Sequence, residues 1–309
     1  MRKHLLGLRT ATRDDIELVL DTAEACKQLF SRPVRKVPTL RGTMVVNLFY
    51  EPSTRTRTSF EMAGKWLSAE VVNMTVSSSS VAKGESIKDT ARTILALGAN
   101  IVVIRHSSPG AAHLLARTID ASIINAGDGT NEHPTQGLLD IYTIRERIGE
   151  LAGVRVLIVG DILHSRVARS NIWGLCTMGA KVAVCGPKTL IPPGLSELEV
   201  KEFDDLDDGL AWANVVNVLR IQLERQKSGL FPSRREYAQR YGITRPRLQL
   251  LSSDAVLMHP GPANLGVEIT QEAALDPRSV ISEQVTNGVA VRMAVLYLLS
   301  GGKSNEFVS

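Results

Sequence analysis

Residues 43–67 read Thr43-Met44-Val45-Val46-Asn47-Leu48-Phe49-Tyr50-Glu51-Pro52-Ser53-Thr54-Arg55-Thr56-Arg57-Thr58-Ser59-Phe60-Glu61-Met62-Ala63-Gly64-Lys65-Trp66-Leu67. The stretch opens on a short apolar run, Thr43 to Leu48, of the kind expected for a strand buried on both faces. It closes on Phe60, Ala63, Trp66 and Leu67, one face of a helix. A polar loop lies between. Strand, loop and helix in succession imply a parallel sheet, because parallel neighbours need a crossover connection.

Working outward, the same alternation recurs. Strand candidates are Thr43 to Leu48, Val71 to Met74, Ile101 to Ile104, Ile123 to Asn125, Val154 to Val159, Lys181 to Cys185, Val215 to Leu219 and Val256 to Met258. Thr12 can cap a first helix, with Asp15 three residues on and Ile16, Val19, Leu20 and Ala23 at helical spacing. Leu138, Ile141, Tyr142 and Ile148 form the face of another. Eight strands divide into two sets of four. Charges and glycines between Glu146 and Gly153 mark the boundary, and Val289 to Leu299 is apolar almost all round, a buried helix near or between the domains. The expected fold is α/β: two serial doubly wound parallel-sheet domains, with the C-terminal helix packing back on the N-terminal domain. The expected domains are 1–148 plus a helix at about 284–309, and 149–283.

Composition narrows the function classes. The chain has 309 residues, 44% hydrophobic and 5% aromatic, enough for two aliphatic cores. Basic residues number 36 against 32 acidic ones, a net charge of +4. Local cationic pockets fit that balance better than a nucleic-acid surface. Cys26, Cys176 and Cys185 are widely spaced and odd in number, which suits a reducing cytoplasm and neither a disulfide framework nor a paired metal motif. No secretory signal is read at the N-terminus, and no apolar run approaches the ~20 residues that cross a bilayer. A soluble, cytoplasmic protein is expected.

In open α/β sheets, ligands bind beyond the carboxyl ends of the strands. Ser53 to Arg57 follows the first strand here, and Ser77-Ser78-Ser79-Ser80-Val81-Ala82-Lys83 the second. Arg105-His106 follows the third, and Gly127 through Gln136 the fourth. The second half adds Asp161 to Arg166, Arg220-Ile221-Gln222 and His259-Pro260-Gly261-Pro262. Cationic and hydroxyl groups therefore collect on one rim of each sheet, as an anionic substrate requires. At Ser53 to Arg57 a helix N-terminus, three hydroxyls and two arginines offer donors to a phosphate. An ordinary Ser/Thr cap with exposed arginines is the minority reading, and without the glycines and terminal lysine the loop is not a P-loop.

Phe49 through Glu61 resembles the carbamoyl-phosphate signature of the aspartate/ornithine carbamoyltransferase family. The likeness covers essentially the whole chain, since Lys83-Gly84-Glu85-Ser86, Arg105-His106, His133-Pro134-Thr135-Gln136, Arg166, Arg220-Ile221-Gln222 and His259-Pro260-Gly261-Pro262 follow in order. Taken alone, His133-Pro134 would be a helix-entry turn, and the serine run a linker. The resemblance implies instead that Ser53, Thr54, Arg55, Thr56, Ser79, Lys83, Arg105, His133 and Gln136 bind carbamoyl phosphate. It implies that the loop with Ser79 and Lys83 reaches into a neighbouring subunit's site. Lys83, Arg166, Arg220 and Gln222 would bind aspartate, with carbonyl contacts from Gly261 and Pro262. Val159 to Arg166 resembles the first turn of a nucleotide-binding fold but has one glycine where that fingerprint wants three. His164 lines the turn.

The implied reaction is attack of the aspartate amine on the carbamoyl carbon, with Arg55, Thr56, Lys83, Arg105 and His133 as the catalytic groups and closure of the two domains bringing the substrates together. No metal and no cofactor is called for, and catalysis rests on positioning and electrostatics. The sister activity on ornithine typically carries His-Cys-Leu-Pro at the last motif and would need an acidic or neutral partner for the side-chain ammonium; Arg166 and Arg220 favour the anion. The alternatives are ornithine transfer and a catalytically silent scaffold homologue. Arg225, Lys227, Arg234, Arg235, Arg240, Arg245 and Arg247 are interrupted by glutamate and tyrosine, a solvated segment rather than a nucleic-acid surface. The resemblance also implies a homotrimer, and some members add a regulatory chain or dihydroorotase. Leu265 stands where many bacterial relatives carry an arginine.

Overall fold

The computed structural model describes residues 3–75, 86–221 and 233–303. The chain splits into two compact units, Met1–Leu139 with Thr286–Ser309, and Asp140–Val285.

In the first unit, α1 (Arg13–Gln28) starts on Thr12, whose hydroxyl accepts from Asp15 N at 3.1 Å while the Asp15 carboxylate accepts from Thr12 N at 3.3 Å. This is the reciprocal capping box that the sequence predicts. Then come β1 (Met44–Phe49), α2 (Thr54–Trp66), β2 (Glu70–Thr75), α3 (Ile87–Ala96), β3 (Ile101–His106), α4 (Ala111–Ala116) and β4 (Ser122–Asp128). The strands form one parallel sheet in the order β2-β1-β3-β4. β1, β3 and β4 carry apolar runs that are buried because both faces are covered, whereas the edge strand β2 leaves Val72 and Asn73 exposed. Val46, Leu48, Val102, Ile104 and Ile123 pack against Ala91 and Ile94 of α3 and Ala112 and Leu115 of α4. Phe60, Ala63 and Leu67 are buried as the helical spacing required, and Trp66 is half-buried. One polar thread crosses the sheet: Asn47 Nδ2 donates to Asn73 Oδ1, its register partner, and Asn73 Nδ2 donates to Glu61 on α2, both at 2.8 Å.

The division between the units falls inside α5 (Pro134–Ile148). Leu138, Ile141 and Tyr142 are buried, but Ile148 is exposed, because the helix ends there in a charged last turn. The second unit continues with β5 (Arg155–Val159), α6 (Arg166–Thr177), β6 (Lys181–Cys185), β7 (Lys201–Phe203), α7 (Leu206–Trp212), β8 (Val215–Val218), α8 (Arg234–Tyr241), α9 (Arg245–Leu248), β9 (Val256–Met258) and α10 (Gln271–Ala274). Its sheet is again wholly parallel, in the order β7-β6-β5-β8-β9. Leu157, Val159, Ala183, Val216, Val218 and Leu257 pack against Leu206 and Leu210 of α7. Each such fully buried valine or leucine side chain contributes about 1.5–3 kcal/mol through area removed from water.

Nine strands are present among the described residues, where the apolar runs marked eight. The additional one, β7, is a three-residue edge strand with two exposed residues, so it has no apolar run to announce it. The last helix, α11 (Ile281–Leu299), is buried from Val289 through Leu299. From Thr286 on it groups with the first unit, where the Arg292 guanidinium donates to Ser59 Oγ at 2.9 Å and lies over the Phe60 ring. Among the described residues, no helix is long and apolar enough to cross a membrane.

Replacing Thr12 by Ala removes the side-chain half of the capping box. Chemical denaturation should show about 1 kcal/mol of lost stability with an unchanged slope.

Candidate functional site

The strand orders decide where each unit can hold a ligand. In the first sheet the chain runs from β1 outward to β2 and then returns to the other side of β1, so the order reverses between β1 and β3. In the second it reverses between β5 and β8. At such a point the following connections diverge to opposite faces, leaving a crevice at the carboxyl edge. Arg55 follows β1 and Arg105 stands at the carboxyl end of β3, and Arg166 and Arg220 follow β5 and β8. Both pairs therefore flank a reversal.

In the first unit, Ser53 is the N-cap of α2 and makes no side-chain cap bond; Thr54, Arg55 and Thr56 form the first turn. Thr56 points inward and is buried, while Thr54 and Arg55 are exposed. The helix thus begins without the usual hydroxyl over its first N–H groups, the arrangement that suits an incoming anion. Arg105 lies 3.4 Å from the Glu51 carboxylate, and its Nη1 donates to Ala126 O at 3.2 Å, which fixes the guanidinium across the ends of β1 and β4. Beside it, burial lowers the His106 pKa against the opposing pull of Glu51 and Asp128. His106 Nδ1 accepts from Ser108 N at 2.8 Å, so this ring is a structural acceptor.

His133 and Gln136 stand at the start of α5, both buried. The turn before them is tied by Asp128, which is 1% exposed. Its carboxylate accepts from Asn125 Nδ2 at 2.7 Å, Gly110 N at 2.7 Å and Glu132 N at 3.2 Å. A buried carboxylate with several N–H donors is a strong tether, because each bond is charge-assisted.

In the second unit, Gly160 adopts φ +129°, a conformation open to glycine, as the chain turns off β5. Asp161 accepts from His164 N at 3.0 Å and pairs with the His164 ring, so His164 braces the turn. Ser165 caps α6 through Ala168 N at 3.1 Å, and Arg166 is its first residue, buried. Arg220 follows β8 and is half-buried. Gly261 and Pro262, joined by a cis peptide, follow β9. Their loop is organised by Glu268, which is fully buried. It accepts from Asn264 N at 2.6 Å and Asn264 Nδ2 at 3.2 Å, and it pairs with His259 Nε2 at 3.2 Å. His259 Nδ1 accepts from Gly261 N at 2.8 Å, so the ring proton sits on Nε2 and is donated to Glu268. Asn264 Nδ2 also reaches Ile221 O at 3.4 Å, beside Arg220.

Ser79, Lys83 and Gln222 lie outside the described residues, as do Arg225 and Lys227. Leu265 is exposed on the loop after Pro262. Sequence reasoning gave Asp128, Glu132, Asp140 and Glu268 no role. Asp140 accepts from Asn171 Nδ2 and Gln284 Nε2, both at 2.8 Å, and Gln284 in turn accepts from His259 N at 3.0 Å. Its signal was an acidic residue set among Leu138, Ile141 and Tyr142 on an apolar face, where an unpaired charge would be costly. Burial pushes the Cys185 thiol up to about 12 and raises that of Cys26 too, so neither is a nucleophile near neutral pH. Among the described residues, no three His, Cys, Asp or Glu side chains are grouped to hold a metal.

Two family models match the chain. The carbamoyl-phosphate-binding domain of aspartate/ornithine carbamoyltransferase spans residues 3–146, and the Asp/Orn-binding domain spans 152–299. The chain is 61% identical over 302 residues to the aspartate carbamoyltransferase catalytic subunit of Desulforamulus reducens, covering 98% of this chain and 97% of that one. It is 59% identical over 306 residues to the protein of the same description from Heliobacterium modesticaldum, covering 99% and 98%. Among solved structures it resembles Trypanosoma cruzi aspartate transcarbamoylase in complex with carbamoyl phosphate and aspartate, with TM-score 0.87, 29% identity and 95% of each chain covered. The catalytic subunit of M. jannaschii aspartate transcarbamoylase is similar at TM-score 0.85 and 38% identity, covering 97% of this chain and 98% of that one.

Replacing Glu268 by Ala would leave the His259 Nε2–H and two Asn264 donors buried without their acceptor. The urea midpoint should fall by the equivalent of about 3 kcal/mol at an unchanged slope. A loss below about 0.5 kcal/mol would contradict the tethering role.

Proposed function

The chain belongs to the aspartate/ornithine carbamoyltransferase family, and we propose that it transfers the carbamoyl group of carbamoyl phosphate to the amine of L-aspartate. The products are N-carbamoyl-L-aspartate and phosphate, the step that commits aspartate to pyrimidine synthesis. The observation that carries this reading is the placement of arginines beside both strand-order reversals, Arg55 and Arg105 in one unit and Arg166 and Arg220 in the other. A doubly charged phosphate and a dicarboxylate each ask for such a site. Ornithine, with a side-chain ammonium, would be repelled by the second pair.

In this reading Ser53, Thr54 and the N–H groups opening α2 hold the phosphate, with Arg55 forking onto two of its oxygens. Thr56, Arg105 and His133 donate to the carbonyl oxygen, where negative charge grows as the amine attacks; Gln136 adds an amide to the same site. Arg105 is held for that task by Glu51 and Ala126 O. Arg166 takes the α-carboxylate of aspartate and Arg220, with Gln222, the side-chain carboxylate. Carbonyl groups of Gly261 and Pro262 accept from substrate N–H groups. As the C–N bond forms, the amine must lose a proton, and the C–O bond to phosphate breaks. The departing phosphate oxygen can take that proton, so no side-chain nucleophile is consumed. Ser79 and Lys83 complete the phosphate site, and Lys83 also contacts aspartate, from a neighbouring chain of a homotrimer in the cytoplasm.

The direct test is a colorimetric assay for carbamoyl product from carbamoyl phosphate with aspartate or ornithine. Turnover with aspartate alone is expected, and Arg55→Ala should lower it by at least about a hundredfold while leaving the thermal midpoint in place. Turnover with ornithine, or a near-normal Arg55→Ala enzyme, would overturn the assignment. Subunit sharing has its own test. Mixed Lys83→Ala and Arg55→Ala chains, each inactive alone, should regain activity in hybrid oligomers; confirmed mixing without recovery would refute the shared site.

A further inference from the structure

The N-terminal arm runs from the edge of β4 to the turn that carries His133. Leu5 forms a parallel bridge with Ile124: its N donates to Ile123 O and its O accepts from Asn125 N, both at 2.9 Å. Asn125 Nδ2 then donates to Leu6 O at 2.9 Å. Past Leu6 the arm leaves the strand and meets the Glu132 carboxylate. Leu8 N donates to Glu132 Oε2 at 2.6 Å and Arg9 N to Oε1 at 3.2 Å. Glu132 is 6% exposed, and its bond from Leu8 N is shielded from water. Gly7 is required for this approach: a Cβ there would stand 2.2 Å from Glu132 Oε1 and 2.7 Å from Cδ.

A cavity of about 430 Å³ lies against the arm, and Leu5, Leu8, Ile16, Val19 and Leu138 are among the residues that line it. The backbone of Glu132 is fixed as well. Its N donates to Asp128 Oδ1 at 3.2 Å, and its carbonyl accepts from Asp128 N at 3.2 Å and from Asn125 Nδ2 at 3.4 Å. That carbonyl belongs to the peptide that ends on His133 N. Side chain, N–H and C=O of Glu132 are thus anchored one residue before His133.

We propose that Glu132 and the N-terminal arm form a clasp that sets the orientation of His133, making Glu132 a positioning residue for carbamoyl transfer. Glu132 does not touch substrate. The clasp rests on the role given to His133 above. A donor to a developing oxyanion works only within a few tenths of an ångström of its place, and a displacement of about 1 Å can cost about a hundredfold in rate.

The test compares kcat, the KM for aspartate and the thermal midpoint of the wild-type enzyme with those of Glu132→Gln, Glu132→Ala, Gly7→Ala and the Gly7→Ala/Glu132→Ala double variant. Glu132→Ala and Gly7→Ala should each lower kcat by about ten- to a hundredfold, with the KM for aspartate within about twofold. Glu132→Gln keeps one acceptor oxygen and should fall between these variants and the wild type. The double variant should be no slower than the slower single one, because the methyl group added by Gly7→Ala then meets no carboxylate to displace. Should Glu132→Ala fail to fold, Glu132→Gln and Gly7→Ala carry the comparison. A kcat within twofold of wild type in these variants, even with a lowered midpoint, would reduce Glu132 to a fastening for the arm and overturn the proposal. Strictly additive losses in the double variant would overturn it too. A wild-type enzyme without carbamoyl-transfer activity would instead overturn the function itself, and the clasp with it.

Discussion

Parallel hydrogen bonding is the constraint on which the rest of this structure depends. It sends the carboxyl end of every strand in a sheet to the same edge, and it forces each connection to cross back through a helix or long loop. Among the described residues, nine strands in two sheets obey it without an antiparallel pair. Residues far apart in sequence, such as Arg55 and Arg105 or Arg166 and Arg220, therefore reach one edge with no direct pairing between their loops. The reversal of strand order beside β1 and again beside β5 opens a crevice at that edge in each unit.

Loops that meet at a sheet edge still need to be held, and buried carboxylates hold them. Asp128 gathers the turn before His133, Glu132 grips the arm beyond it, and Glu268 secures the loop that bears Gly261 and Pro262. Asp140 ties its neighbours in the second unit through Asn171 and Gln284. Each is nearly or fully buried and accepts from backbone N–H or side-chain amide groups. The acids are turned inward as acceptors, while the arginines and hydroxyls flank the reversals. One set of charges orders the loops, and the other is the set proposed to meet the anionic substrates.

Most of the fold was legible because a doubly covered parallel strand leaves a plain mark, a short apolar run such as Val45 to Leu48 or Val156 to Val159. The edge strand at Lys201–Phe203 left none, since two of its three residues face water. Ile148 continued the helical pattern and lies in the helix, but the buried face ended at Ile144. The arginines and His133 were legible from their positions after strands. The supporting acids were not, because a carboxylate's partners are backbone N–H groups brought by folding, as when Glu132 meets Leu8 and Arg9 from the other end of the domain. Gly7 illustrates the same limit: only the nearness of Glu132 makes the absence of its side chain matter.

The central claim is that each unit supplies half of the anion recognition for one reaction. N-(phosphonacetyl)-L-aspartate, a ligand of the Trypanosoma cruzi enzyme, carries a phosphonate, linked through an acetyl group to the amine, and both free carboxylates of aspartate in one molecule. Its binding, followed by titration calorimetry, measures both halves at once. One molecule should bind per chain, and affinity should fall by at least about tenfold in Arg55→Ala and, separately, in Arg166→Ala. Undiminished binding in either variant would contradict the account.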